Sequence, residues 1–338
     1  MSTPLAVFAA GTGAPPAPLA APVAPPTERS DAFLLRQQHF PDDVNFHAPG
    51  LKRYRTNAFE QTNPRAWLPI SVTGDACALQ CEHCVAKVLN PMISLQAAKN
   101  LYELCTELQQ TGTKGVLVSG GSMKNGQVPL LKHVEHMKRV KDELGMKIIC
   151  HTGLVSEETA AGLAWAGIDG AMIDIMGADE TISKVYHLEA TVEDFEESLE
   201  RLTRHELMTL PHIVVGLHFG RFLGEQRALE IIARYPVSAL ILVVLMPVFG
   251  TPMANLTPPP LDETTAFFRA ARMAMPTTRV MLGCARPGGD MKIQLDRAAI
   301  DMGLNGIAFP AEGIVEYATA SGLDPKFYEY CCSLTWGV

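Results

Sequence analysis

From residue 67 onward, short apolar runs alternate with longer segments whose apolar positions return every three or four residues. The runs read as strands and the longer segments as amphipathic helices. Strands fall at 68–73, 115–119, 147–151, 170–175, 212–217, 238–245, 279–284 and 306–309. Each precedes a helix, over 95–110, 130–144, 157–166, 192–206, 225–235, 262–275, 290–302 and 314–321 respectively. In the first of these helices Ser94 is the cap and Gly112 the stop, with Leu95, Ala98, Leu101, Tyr102, Cys105 and Leu108 on one face.

The strand segments lack strict alternation, which marks parallel strands buried on both faces. Eight strand–helix units over this length fit a (β/α)8 barrel of the TIM type, or a partial barrel should one weak strand be missing. Either form puts chemistry at the C-terminal ends of the strands. The expected organisation is a disordered tail over 1–30, a lead-in segment over 31–66, the barrel over 67–310 and a C-terminal extension over 311–338. Residues 2–26 are almost wholly Ala, Pro, Gly, Thr, Ser and Val, which neither pack nor sustain a helix.

Composition narrows the function classes. The chain has 338 residues, 47% hydrophobic and 19% charged, a globular balance. Its longest apolar stretch, 237–248, is shorter than a membrane span and meets prolines at Pro236 and Pro247. A net charge of −8 with scattered Lys and Arg argues against nucleic acid as partner. The first basic residue is Arg29, so no secretory signal is read and a cytoplasmic location is expected. There the eight cysteines are thiols or metal ligands, not disulfides.

The most informative feature is the C-x3-C-x2-C array Cys77, Cys81 and Cys84, directly after the first strand and therefore in a loop over the barrel mouth. Three thiolates on so short a loop hold three irons of a cubane and leave the fourth open. A structural zinc site would need a fourth ligand, and His83 lies awkwardly close in sequence to supply it. A non-catalytic iron–sulfur carrier would use the same triad but would not need an eight-unit barrel.

The array in this loop resembles the defining motif of the radical S-adenosylmethionine (SAM) superfamily. The resemblance implies a [4Fe-4S] cluster on Cys77, Cys81 and Cys84 whose open iron binds SAM, and cleavage of SAM to a 5′-deoxyadenosyl radical. It implies SAM contacts at the turn Ser119, Gly120, Gly121 and Ser122, where Ser122 replaces the usual acid. Further contacts are implied at Asp174 for the ribose, at Gly216 near the adenosyl group, and at Gly250 and Thr251 in a Pro…Gly-Thr-Pro segment similar to that of biotin synthases.

Within the superfamily, the segments at 57–59, 64–71, 119–122, 250–252 and 283–287 resemble a biotin synthase-related group that includes the two-component lipoyl synthases. The resemblance implies sulfur insertion into the octanoyl chain of an octanoyl-lysyl carrier, a lipoyl domain or H-protein-like partner, together with a paralogous radical SAM subunit and an electron donor such as ferredoxin or flavodoxin. Biotin formation, cofactor maturation and methylation are the alternatives within the group. Cys150 and Cys284 fall near strand ends, and Cys331 and Cys332 are adjacent near the C-terminus. These four are the expected ligands of an auxiliary Fe–S cluster, with Arg286 as an additional candidate. His151 and Arg286 are the candidate catalytic residues lining the site, with His218 a further one. Cys105, on the inward face of its helix, reads as a buried thiol.

Overall fold

A strand covered on both faces must be apolar throughout, and Trp67–Ser71 is buried at every position. The computed structural model describes residues 24–50 and 53–334, so most of the expected tail, 1–30, lies outside the described residues. The strands are β1 (Asp43–His47), β2 (Trp67–Ser71), β3 (Ile93–Ser94), β4 (Gly115–Ser119), β5 (Lys147–His151), β6 (Gly170–Asp174), β7 (Thr209–Val215), β8 (Ala239–Val244), β9 (Arg279–Leu282), β10 (Gly306–Ala308) and β11 (Asp324–Tyr328). The helices are α1 (Asp31–His39), α2 (Leu101–Gln110), α3 (Val134–Arg139), α4 (Glu157–Ala166), α5 (Asp179–Tyr186), α6 (Val192–Arg204), α7 (Glu225–Ile232), α8 (Leu261–Ala274), α9 (Gly289–Asp301) and α10 (Ile314–Ala320).

All strands join one parallel sheet in the order β11-β1-β10-β9-β8-β7-β6-β5-β4-β2-β3. The eight expected strands form its centre. The sheet curls without a ladder joining its two ends, so the barrel takes the partial form. β1 comes from the lead-in segment and β11 from the C-terminal extension, and the two add to the same sheet beside β10. Opposite them, the Gly50 amide donates to the Trp67 carbonyl at 3.0 Å, and Gln61 Nε2 donates to the Ala48 carbonyl at 2.7 Å. A Cβ on Gly50 would fall on the Pro64 and Trp67 carbonyls.

The expected helix 95–110 is divided. Ser94 accepts from the Gln96 amide and caps only a 3-10 turn over Leu95–Ala97, while Asn100 accepts from the Glu103 amide and starts α2. An asparagine cap competes with helix continuation because its side chain takes the amides of the next turn.

Two apolar layers flank the sheet. One, between strands and helices, includes Ile148, Cys150, Leu240, Leu242, Val280 and Leu282. The other holds the alternate strand positions Ile149, Met172, Leu210, Ile241 and Met281 and no helical residue, so it fills the inside of the curl. Cys332 and Leu334 pack in this inner layer, and Ser333 Oγ lies 3.0 Å from Met172 Sδ. The C-terminal segment therefore enters the barrel. No described helix is long and apolar enough to cross a membrane.

Candidate active site

The loop after β2 carries the cysteine triad. The amides of Cys84 and Val85 both return to the Cys81 carbonyl, at 3.1 and 2.9 Å, winding a tight turn between the last two cysteines. Gln80, Val85 and Ala86 hold positive φ angles of 48, 39 and 63°, a conformation that is costly for residues other than glycine and that concentrates at functional sites. The next turn braces the loop. The Ala78 amide donates to the Ser122 carbonyl at 2.8 Å, and the Gly121 amide donates to Thr73 Oγ1 at 2.7 Å. A Cβ on Gly121 would strike the Ala76 carbonyl and lie 2.6 Å from Cys77 Cα, so only glycine fits beneath the loop.

Cys81 and Cys84 are buried and Cys77 is partly exposed. Hydrogen bonding between Cys81 and Cys84 pushes the Cys81 thiol up and pulls the Cys84 thiol down, and His83 lowers Cys84 further. Of the two, Cys84 is the one that favours thiolate, the form in which cysteine binds iron–sulfur clusters. His83 has a ring nitrogen within 4.8 Å of both sulfurs, so sequence proximity does not remove it from reach of a metal on Cys81 and Cys84.

The other positions expected to meet SAM lie on successive strand ends. Ser119 Oγ donates to the His151 carbonyl at 3.1 Å, crossing from β4 to β5. Gly216 follows β7 at φ +75°, with its amide on Glu225 Oε1 at 2.8 Å and the Pro259 ring where a Cβ would stand. Thr251 is buried and bonds the Val248 carbonyl at 2.8 Å. Gly250 packs on Lys87, whose Nζ donates to the Phe249 carbonyl at 2.9 Å and so ties the segment after β8 to the cysteine loop.

Inside the curl, His151 Nε2 lies 3.5 Å from Asp174 Oδ1, and Asp174 Oδ2 accepts from the Tyr186 hydroxyl at 3.3 Å. The His212 ring stands 5.7 Å from that of His151 at 64°. Burial would raise Asp174, but the histidines hold it down at about 2. Burial lowers His151, and Asp174 more than offsets it, so His151 is raised. Burial and His151 together lower His212 to about 4. Sequence reading missed His212 and Tyr186. Alternation along β7 from the inner-layer Leu210 would have found His212.

Of the four cysteines expected to bind an auxiliary cluster, three point to one region. Cys331 and Cys332 sit in the inner layer, where the hydrogen bond with Cys331 and burial push the Cys332 thiol up, and Cys284 is exposed in the loop after β9 and adds a small upward effect. Hydrogen bonding from Cys332 lowers the Cys331 thiol to about 7, with His151 contributing. Cys150 does not join them. It is fully buried in the outer layer, its Sγ 4.0 Å from Met137 Sδ on α3, because strand alternation turns 149 and 151 inward and 150 outward.

Arg286 is also committed elsewhere. Its Nε pairs with Asp296 at 2.6 Å, Nη1 donates to Gly283 at 2.8 Å and Nη2 to Phe309 at 3.1 Å, all buried. It fastens the loop carrying Cys284 to α9 and to the end of β10. His218 is buried against Thr181 of α5 at 3.1 Å, away from the inner layer. Cys105 is fully buried, as expected.

Residues 71–232 match the model of the Radical SAM superfamily, and this part of the chain is a radical SAM domain. The curated proteins the chain is similar to are biotin synthases. It is 26% identical over 227 residues to a biotin synthase of Geotalea daltonii, covering 63% of this chain and 66% of that protein. It is 24% identical over 278 residues to a biotin synthase of Chlorobium phaeobacteroides, covering 77% and 80%. Among solved structures it resembles methylornithine synthase, with TM-score 0.56, 14% identity and 87% of each chain covered. It also resembles the FeFe-hydrogenase maturase of Carboxydothermus hydrogenoformans, with TM-score 0.61, 14% identity, and 88% and 70% covered. The structural likenesses bear on fold alone. The protein is a radical SAM enzyme, and its superfamily uses a [4Fe-4S] cluster and SAM.

Proposed function

We propose that this enzyme inserts sulfur into the octanoyl chain of an octanoyl-lysyl carrier protein, as one subunit of a two-component lipoyl synthase. The observation that carries the reading is the adjacent pair Cys331 and Cys332 in the inner layer, where a sulfide-donating auxiliary cluster would have thiolates, with Cys284 in the loop after β9 as a further candidate. The cluster on Cys77, Cys81 and Cys84, with SAM bound, supplies the abstraction of a hydrogen atom from an unactivated C–H bond. The protein's own part is to orient and to exclude water. Gly120 and Gly121 bring backbone close to the cysteine loop, and the inner apolar layer shields the reacting carbon.

The apolar character of the inner layer, with Ile149, Ile241 and Met281, is in keeping with an octanoyl substrate. The carrier, the paralogous subunit and a ferredoxin- or flavodoxin-type reductant complete this reading. The names of the curated relatives support a second one, sulfur insertion in biotin formation.

The test is anaerobic reconstitution with iron and sulfide counted per chain, followed by dithionite, SAM and an octanoyl-lysyl peptide. About eight irons and thiolated octanoyl products are expected. The Cys331→Ser/Cys332→Ser variant should keep only about four irons, and Cys150→Ala should keep the full complement. About four irons in the unaltered chain, with SAM cleaved and no sulfur transferred, would leave the radical chemistry standing and remove this proposal.

A further inference from the structure

The inner faces of β5, β6 and β7 each end in a side chain that binds metals: His151, Asp174 and His212. We propose that these three residues hold one divalent transition-metal ion, zinc or ferrous iron, separate from the iron–sulfur ligands. The inference goes beyond sulfur insertion and does not depend on it.

One ligand atom from each residue lies within 4.8 Å of the other two. The imidazole rings stand 5.7 Å apart at 64°, an arrangement that two ligands of one ion can take. Two nitrogens and a carboxylate oxygen on one side of an ion form a set that zinc and non-haem iron both accept, leaving positions open. That donor set is harder than the thiolates of the cysteine loop and selects differently among metals.

The surroundings favour ligation as well. Histidine ligands characteristically donate their second ring N–H to a backbone carbonyl or carboxylate, which fixes tautomer and orientation. His212 Nδ1 stands 3.0 Å from the Leu210 carbonyl, a contact that assigns its proton to Nδ1 and leaves the Nε2 lone pair available. The Tyr186 hydroxyl bonds Asp174 at 3.3 Å and orients the carboxylate. Tyr186 also accepts at its carbonyl from Cys81 Sγ at 3.9 Å, so the site adjoins the cysteine loop through one residue. The ribose role implied for Asp174 competes for the same carboxylate.

The experiment uses the full chain, reconstituted anaerobically, given zinc chloride, desalted, and assayed for zinc and iron together. About one zinc per chain is expected in the unaltered protein. His151→Gln and His212→Gln should each lower zinc several-fold, with iron and circular dichroism unchanged. Cys331→Ser/Cys332→Ser should retain zinc, and the zinc X-ray absorption edge should show imidazole without sulfur. Absence of zinc from the unaltered chain, zinc unaffected by both histidine replacements, or a sulfur-dominated edge overturns the proposal. So does an Asp174→Asn chain that loses SAM binding yet keeps its zinc. His151 is only partly buried, so its variant carries the test if His212→Gln fails to fold. Zinc is counted independently of products, so failure of sulfur insertion and failure of this site are distinguishable.

Discussion

Arg286 and Asp296 form an ion pair at 2.6 Å with 1% and 0% of their side chains exposed. Asp296 also accepts from the Ala311 amide at 2.6 Å, so one carboxylate ties the loop after β9 to the segment that follows β10. Removing Arg286 leaves the buried Asp296 carboxylate with only the partly exposed Lys292, at 3.3 Å, and the Ala311 amide. Arg286→Leu should cost about 2–3 kcal/mol in urea unfolding, because Lys292 still compensates the carboxylate. A loss below about 1 kcal/mol would show that the pair is solvated in solution.

The packing of Gly121 beneath the cysteine loop makes a sharper prediction. In Gly121→Ala the new methyl meets backbone atoms of Ala76 and Cys77, which cannot rotate away. The triad must shift. Iron retained after desalting should fall several-fold while circular dichroism stays unchanged. Full iron retention would mean that the loop yields without losing its ligands.

His47 makes stability depend on pH. The ring is fully buried, holds the Tyr330 carbonyl at 3.2 Å through Nδ1, and stacks on Tyr328 at 5.2 Å. Burial lowers its pKa from 6.5 to about 4. Between these values the unfolded chain binds the proton and the folded chain does not, so stability rises with pH across that window. The contribution is complete above about pH 6.5 and disappears as pH falls through 4, an effect of roughly 3 kcal/mol. His47→Phe should flatten the difference between urea midpoints measured at pH 7 and pH 4.5. An equal acid loss in both chains would assign the effect to other groups.

Local pattern carried most of the fold. Gly115–Ser119 and Lys147–His151 coincide with the strands read from the chain, because uniformly apolar runs between helices have one stable use. β1 and β11 were missed. β1 buries the polar Asn45 and His47, and β11 opens on Asp324-Pro325-Lys326, so neither presents an apolar run; both form only because distant segments meet.

The site divides in the same way. The triad was visible because its ligands share one loop. Cys150 was assigned to the mouth from its position near a strand end, when the side-chain alternation of β5 turns it outward. Arg286 looked available because nothing nearby in sequence announces Asp296, ten residues on and one helix face away.

The bond from Gly50 to Trp67 has a mechanical consequence. A barrel shut by a continuous ladder has its width fixed by strand number and stagger. Here no ladder among the described residues joins the edge strands β11 and β3, and the chain after β1 is tied to β2 by the backbone bond from Gly50 to Trp67. One side of the curl is therefore held by isolated bonds, while its other strands are locked to their neighbours by continuous ladders.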